Sequence, residues 1–334
     1  LIKLPSEWII ILGLYYFSVG VYIAKDKVIM IDNISVKMNS FFLWWILKCG
    51  CVWDNNLVAR HIVSRDMNDL QRMQGSKYVQ SCTGEAQREL IRLLKSGKKV
   101  LFSGTPCQVI AASKIASILN KRDNLLSIAV ICHGVPSPLS WESYKIWLNS
   151  RECDVLTDVN FRDKSMSGYK KQNVCYTFKS GKRLIEPSYL PTSKYMEASI
   201  VYNLSMRQCC TKCKAKGRQD GIDIILGDWY AEYRGEGVLG TSCICAYTDK
   251  GKVYVRENLS NLQEINYDEI LRENGLIEKS TFASKNRQRF FTDLMQEGFW
   301  DKVERLYPPK YPMKVLLVRL GLYDWLKRVK EILK

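Results

Sequence analysis

Residues 98–138 read KKVLFSGTPCQVIAASKIASILNKRDNLLSIAVICHGVPSP. Lys98–Ser103 is a short apolar run closed by Gly104-Thr105-Pro106, the punctuation of a buried strand meeting a turn. A helix is expected from about Gln108 to Asn120. Leu125–Cys132 is a second apolar strand run, ending in His133-Gly134-Val135-Pro136. Ser137 and Pro138 then supply an N-cap and a first-turn proline for another helix. That helix carries Trp141, Tyr144, Trp147 and Leu148 at helical spacing, and these side chains are expected in the core. Strand, helix, strand, helix predicts a parallel α/β unit with a right-handed connection.

Further along, the pattern changes. Val155–Arg162 reads as a strand, and Val174–Phe178 with Arg183–Glu186 flank Ser180-Gly181-Lys182 as a hairpin. A helix is expected over Lys194–Met206, a strand over Asp223–Trp229, and a second hairpin turning at Asp249-Lys250-Gly251. The expected fold class is α/β, a mixed sheet with parallel strand-turn-helix units followed by antiparallel hairpins. Lys314–Lys334 reads as a basic amphipathic helix with Val315, Leu322, Leu326, Val329 and Leu333 along one side. Such a helix packs on its own chain, on a partner or on a membrane surface. At the other end, Leu4–Ala24 is apolar with Glu7 as its one charge. It is just long enough to span a bilayer, but the expected reading is a pair of aromatic and β-branched strands.

Composition narrows the function. The chain has 334 residues, of which 46% are apolar and 25% charged, as in ordinary globular proteins. The net charge of +16 predicts an acidic partner. Its Lys and Arg are scattered without interleaved aromatic stripes, so nucleic acid is not expected to be that partner. Two histidines argue against a His-rich metal site and against a Ser-His-Asp enzyme. Twelve cysteines leave thiolates as the carriers of any metal, and a chain this long does not need disulfides to fold.

Cys107 and Cys132 each follow a predicted strand. If those strands are neighbours, their ends lie roughly 5 Å apart, or about twice that with one strand between them. Open α/β sheets place their sites along that edge. Cys210-Thr211-Lys212-Cys213 is a C-x-x-C set among Arg207, Lys212, Lys214, Lys216 and Arg218, cations that favour thiolates. Four-thiolate ligation by Cys107, Cys132, Cys210 and Cys213 is a reasonable reading. On spacing alone an iron–sulfur cluster, a structural zinc and no metal all stay open. Cys243 and Cys245 alternate along a predicted strand and are read as buried structural thiols. The other cysteines have no evident partner, and His133 is assigned no catalytic role.

At these residues the sequence resembles the beta-subunit family of coenzyme F420 hydrogenases and dehydrogenases. The matching stretches are QGSKYVQS (74–81), KKVLFSGTPCQ (98–108), ICHGVPSP (131–138), VNFRDKSMSGYK (159–170), NLSMRQCCTKCKAKGR (203–218) and DIILGDW (223–229). The bacterial, polysaccharide-biosynthesis-associated members resemble this chain most closely. The resemblance implies a 4Fe-4S cluster on Cys107, Cys132, Cys210 and Cys213, together with FAD. FAD is expected near the Gly104–Thr105 turn, with Lys77, Arg162, Lys164 and Arg218 either neutralising its pyrophosphate or serving as solvated surface cations. The implied activity is that of a flavin-linked iron–sulfur oxidoreductase subunit. It would pass electrons between an acidic ferredoxin-like protein, or a deazaflavin or flavin carrier, and an organic substrate. Two other readings are a non-catalytic member with a structural four-cysteine metal site and a membrane-associated accessory subunit of a polysaccharide-synthesis system.

The resemblance divides the chain into a divergent N-terminal segment (1–45) and the N-terminal part of the flavin and iron–sulfur core (46–97). The C-terminal family domain carrying the cysteines (98–300) and the basic C-terminal helix (301–334) complete it. This chain has no ferredoxin-like C-x-x-C-x-x-C run, and no Ser-Gly-Gly motif is recognisable in SVKMNSFFLWW (35–45). It begins with Leu, and a truncated, divergent or mistranslated N-terminal quarter is expected. Where relatives read Asp-Phe-Trp-Gly, it reads Asp228-Trp229-Tyr230-Ala231. Free thiols require a reducing compartment, so the expected location is cytoplasmic.

Overall fold

The computed structural model describes residues 27–30, 47–165, 173–187, 193–229, 241–259, 262–307 and 322. Leu4–Ala24 and the predicted helix at Lys314–Lys334, apart from Leu322, lie outside the described residues. The strands are β1 (Lys27–Met30), β2 (Leu47–Trp53), β3 (Ala59–Ser64), β4 (Val100–Gly104), β5 (Leu125–Val130) and β6 (Leu156–Asp163). They continue with β7 (Asn173–Phe178), β8 (Arg183–Pro187), β9 (Ile224–Trp229), β10 (Thr241–Ala246) and β11 (Gln263–Asn266). The helices used below are α1 (Met67–Met73), α2 (Gly84–Lys95), α3 (Pro106–Ile118), α4 (Pro138–Glu152) and α5 (Asp249–Asn258). The described residues fall into two compact units. The first is drawn from Leu1–Val135 and Gln208–Thr281, the second from Pro136–Met166, Lys171–Arg207 and Phe282–Lys334.

The first unit is built on one sheet of order β11-β1-β10-β9-β5-β4-β2-β3. Its centre, β2-β4-β5-β9, is parallel, and antiparallel strands flank it on both sides. The mixed sheet expected from sequence is therefore present. Its central strands read as unbroken apolar runs because both faces are covered. On one face Phe102, Ala129, Ile225 and Cys243 pack with Leu90 of α2 and with Val109 and Ala112 of α3. On the other, Leu101, Ile128, Leu226 and Ile244 pack with Tyr254 and Val255 of α5. Cys243 and Cys245 are buried on the α3 side, as their alternation implies.

The amino-terminal end of the parallel strands is fastened by a buried carboxylate. Asp223 accepts from Arg122 Nη2 (2.9 Å), Ser127 N (2.8 Å) and Thr248 Oγ1 (2.7 Å). Burial alone would push this carboxyl up. The donors from Arg122, Thr248 and Ser127 more than offset it and hold the group below the ordinary carboxylate range.

In the second unit β6, β7 and β8 form an antiparallel sheet, with β7 and β8 joined as the expected hairpin. Helix α4 lays Trp141 and Tyr144 against Phe161 and Tyr195, with Tyr144 also edge-on to Trp300 at 4.9 Å. Trp141, Tyr144 and Leu148 are buried as expected, while Trp147 is only half-buried.

Two expectations are corrected. Asp249-Lys250-Gly251 is the first turn of α5, not a hairpin. Thr248 caps it, its hydroxyl accepting from Gly251 N at 3.1 Å, so turn-like residues here serve a helix start. The helix expected over Lys194–Met206 is a single turn, Lys194–Met196, continued by a wider turn over Glu197–Val201. It stops because Asn203 adopts a left-handed conformation (φ 53°), and Leu204 N closes the end on the Ala198 carbonyl at 2.8 Å.

Candidate cysteine site

β4 and β5 are directly paired and parallel, with Gly104 opposite Ala129. Their carboxyl ends therefore deliver Cys107 and Cys132 from adjacent strands. Cys107 sits in the first turn of α3, exposed, with its Sγ 3.3 Å from Thr105 Oγ1. That turn is set by a reciprocal cap: Thr105 N and Thr105 Oγ1 both donate to Gln108 Oε1 (3.0 Å each), and Gln108 N donates to the Thr105 carbonyl (3.0 Å). Gln108 is itself anchored, its Nε2 donating to Ser81 Oγ at 2.8 Å.

Cys132 follows β5 and is half-buried. Burial pushes its thiol up to about 12 against the opposing pull of Lys216, and the neighbouring thiols of Cys210 and Cys107 raise it further. Cys210 lies in the short turn Gln208–Lys212. Burial raises its thiol, a hydrogen bond with the Val135 backbone works the other way, and Cys107 is again within electrostatic reach. Cys213 is held through its backbone, its N–H donating to Ser280 Oγ at 3.0 Å. Burial lowers the Lys216 pKa, and Cys132, Cys213 and Cys210 act on it in the opposite direction. Cys107, Cys132 and Cys210 are thus within electrostatic reach of one another, and Cys132, Cys210 and Cys213 within reach of Lys216, all in the first unit. Among the described residues, however, no group of three or more His, Cys, Asp or Glu side chains is gathered to hold a metal ion.

From sequence, Lys216 is only one of several nearby cations. In the fold its Nζ donates to the Cys132 carbonyl and, at 2.6 Å, to the Leu276 carbonyl. The local signal is small: buried Ala215 precedes it, and Gly217 follows at φ 70°. His61, on β3, also escapes sequence reasoning. Its Nε2 donates to the Ser103 carbonyl at 3.0 Å, its ring stacks on Phe102 at 5.5 Å, and its buried Nδ1 has no hydrogen-bond partner. Burial lowers its pKa from 6.5 to about 4, so the imidazole is neutral. His133 Nε2 lies 3.2 Å from Thr281 Oγ1.

The residues expected around a flavin come from both units. Gly104 and Thr105 lie at the same strand end as Cys107. A Cβ at Gly104 would stand 2.9 Å from Gln108 Oε1 and 3.1 Å from His61 Nε2, so that space is filled. Lys77 Nζ donates to the carbonyls of Arg72 (2.9 Å), Gln74 and Gly75, closing the end of α1. Arg218 is exposed, with Nη2 3.3 Å from the Tyr247 carbonyl. Arg162 and buried Lys164 belong to the second unit.

No helix among the described residues is long and apolar enough to cross a membrane. No curated protein matches the chain. Among solved structures, a chain of the F420-reducing NiFe hydrogenase complex from Methanosarcina barkeri is 14% identical, with a TM-score of 0.44. The match covers 79% of this chain and 88% of that one. The family described as the C-terminal part of the coenzyme F420 hydrogenase/dehydrogenase beta subunit matches residues 97–269, more than half of the sequence and all four cysteines of the site. The chain belongs to the coenzyme F420 hydrogenase/dehydrogenase beta-subunit family.

Proposed function

We propose that this chain is an iron–sulfur oxidoreductase subunit in which Cys107, Cys132, Cys210 and Cys213 hold a 4Fe-4S cluster. The observation that carries the reading is that Cys107, Cys132 and Cys210 lie within electrostatic reach of one another, while Cys132, Cys210 and Cys213 lie within reach of Lys216. The donor set suits the group: soft thiolates are its natural ligands. A single zinc ion draws its sulfurs in to about 2.3 Å, whereas a four-iron body occupies more room and accepts thiols standing farther apart. When bound, the cluster supplies one-electron transfer. The chain's own residues orient the ligands: the Thr105–Gln108 cap fixes Cys107, and Ser280 fixes the backbone of Cys213.

Lys212, Lys214 and Arg218 are exposed beside the C-x-x-C, which supports an acidic ferredoxin-like donor or a phosphate-bearing deazaflavin carrier. The FAD part of the reading rests on family membership. At the Gly104–Thr105 turn the Thr105 N–H is already satisfied by Gln108, so a pyrophosphate there would draw on other donors. A cytoplasmic location fits the twelve cysteines, all free.

Anaerobic purification of single Cys→Ala proteins tests the ligand set. Loss of Cys107, Cys132, Cys210 or Cys213 should abolish the broad visible absorbance of the cluster, while Cys243→Ala and Cys245→Ala should keep it. Full iron and sulfide content in both Cys107→Ala and Cys210→Ala would refute the assignment.

A further inference from the structure

Lys216 is placed unlike the other cations near the cysteines. Lys212, Lys214 and Arg218 are exposed, but Lys216 is half-buried and held by two carbonyls. One belongs to Cys132. The other belongs to Leu276, in the short helical turn Gly275–Ile277, sixty residues further along the chain. That turn is itself anchored, Asn274 Nδ2 donating to the Asp228 carbonyl at 2.9 Å at the carboxyl end of β9. Two bonds to fixed backbone leave the ammonium little freedom. Its charge therefore acts from one position, and that position is within reach of Cys132, Cys213 and Cys210.

We propose that Lys216 is the fixed counter-charge of the four-thiolate site, a positioning residue that raises the reduction potential of the group those thiolates hold. This rests on the cluster reading above. The oxidised and reduced forms of such a group differ by one electron, supplied by a one-electron donor, and hence by one unit of negative charge. A cation that cannot move away stabilises the more negative form and favours reduction. Water relaxes around an exposed lysine and screens it. Around Lys216 burial and the two carbonyls limit that screening.

The test separates charge from scaffold. Lys216→Gln keeps amide donors for the carbonyls and removes the charge, and Lys216→Arg keeps the charge. Each protein is purified anaerobically, assayed for iron and sulfide, and titrated with dithionite while the reduced signal is followed by electron paramagnetic resonance. Lys216→Gln should carry wild-type iron and shift the reduced-to-oxidised ratio at fixed potential on the order of tenfold toward oxidised, about 59 mV for one electron. Lys216→Arg should stay near wild type. An unchanged potential in a fully loaded Lys216→Gln protein overturns the proposal and leaves the cluster standing. Should Lys216→Gln fail to load, retention of the cluster by Lys216→Arg supports the role of charge, and its loss there too overturns it. A wild-type protein free of iron and sulfide removes the cluster reading itself and this inference with it.

Discussion

Several buried polar groups in the first unit show how one residue can commit a whole region. Asp223 gathers donors from β5, from Arg122 and from the cap of α5, and its charge survives burial because those donors surround it. His61 is the opposite case, a basic group kept neutral by its surroundings. With a folded pKa of about 4 against 6.5, it refuses a proton that the unfolded chain accepts. Stability therefore rises with pH between those values and falls on acidification. Urea unfolding at pH 7 and pH 5.5 should show a loss of about 1 kcal/mol from this group. His61→Gln should remove that part of the difference. An identical pH dependence in the two proteins would contradict the burial argument.

The elements show where sequence reading succeeds and where it stops. β4 and β5 are legible because continuous apolar runs end in Gly-Thr-Pro and His-Gly-Val-Pro, and buried parallel strands leave that mark. The start of α5 is easily misread because Asp-Lys-Gly is equally good chemistry for a turn and for a capped first helical turn. The end of the 194–201 segment is overrun because Asn203, a residue that tolerates the left-handed turn, does not by itself mark a helix end. Gly251 carries the strongest consequence. In an exposed helix Gly→Ala gains about 1 kcal/mol, but a Cβ here would lie 2.4 Å from the Asp223 carbonyl oxygen. Gly251→Ala should instead destabilise by about 1–3 kcal/mol, measured by thermal or urea unfolding. A protein as stable as wild type, or more so, would show that α5 does not approach β9 so closely.

For the molecule as a whole, the candidate site is a product of sheet order. The positions of Cys107 and Cys132 at strand ends are visible from sequence, but their proximity requires β4 and β5 to be neighbours. Lys216 is recognisable there only as a charge, because its second anchor, Leu276, is remote in the chain and local patterns carry no trace of it. The excess of positive charge, +16 over the chain, and the exposed cations beside Cys210 and Cys213 suit an acidic electron donor. All of this depends on the four thiols serving one redox group. The most direct measurement is metal and acid-labile sulfide analysis of the wild-type chain purified without oxygen. A 4Fe-4S cluster on these thiols predicts about four iron and four sulfide per chain. Protein with no sulfide, or with one zinc per chain in place of iron, would contradict it.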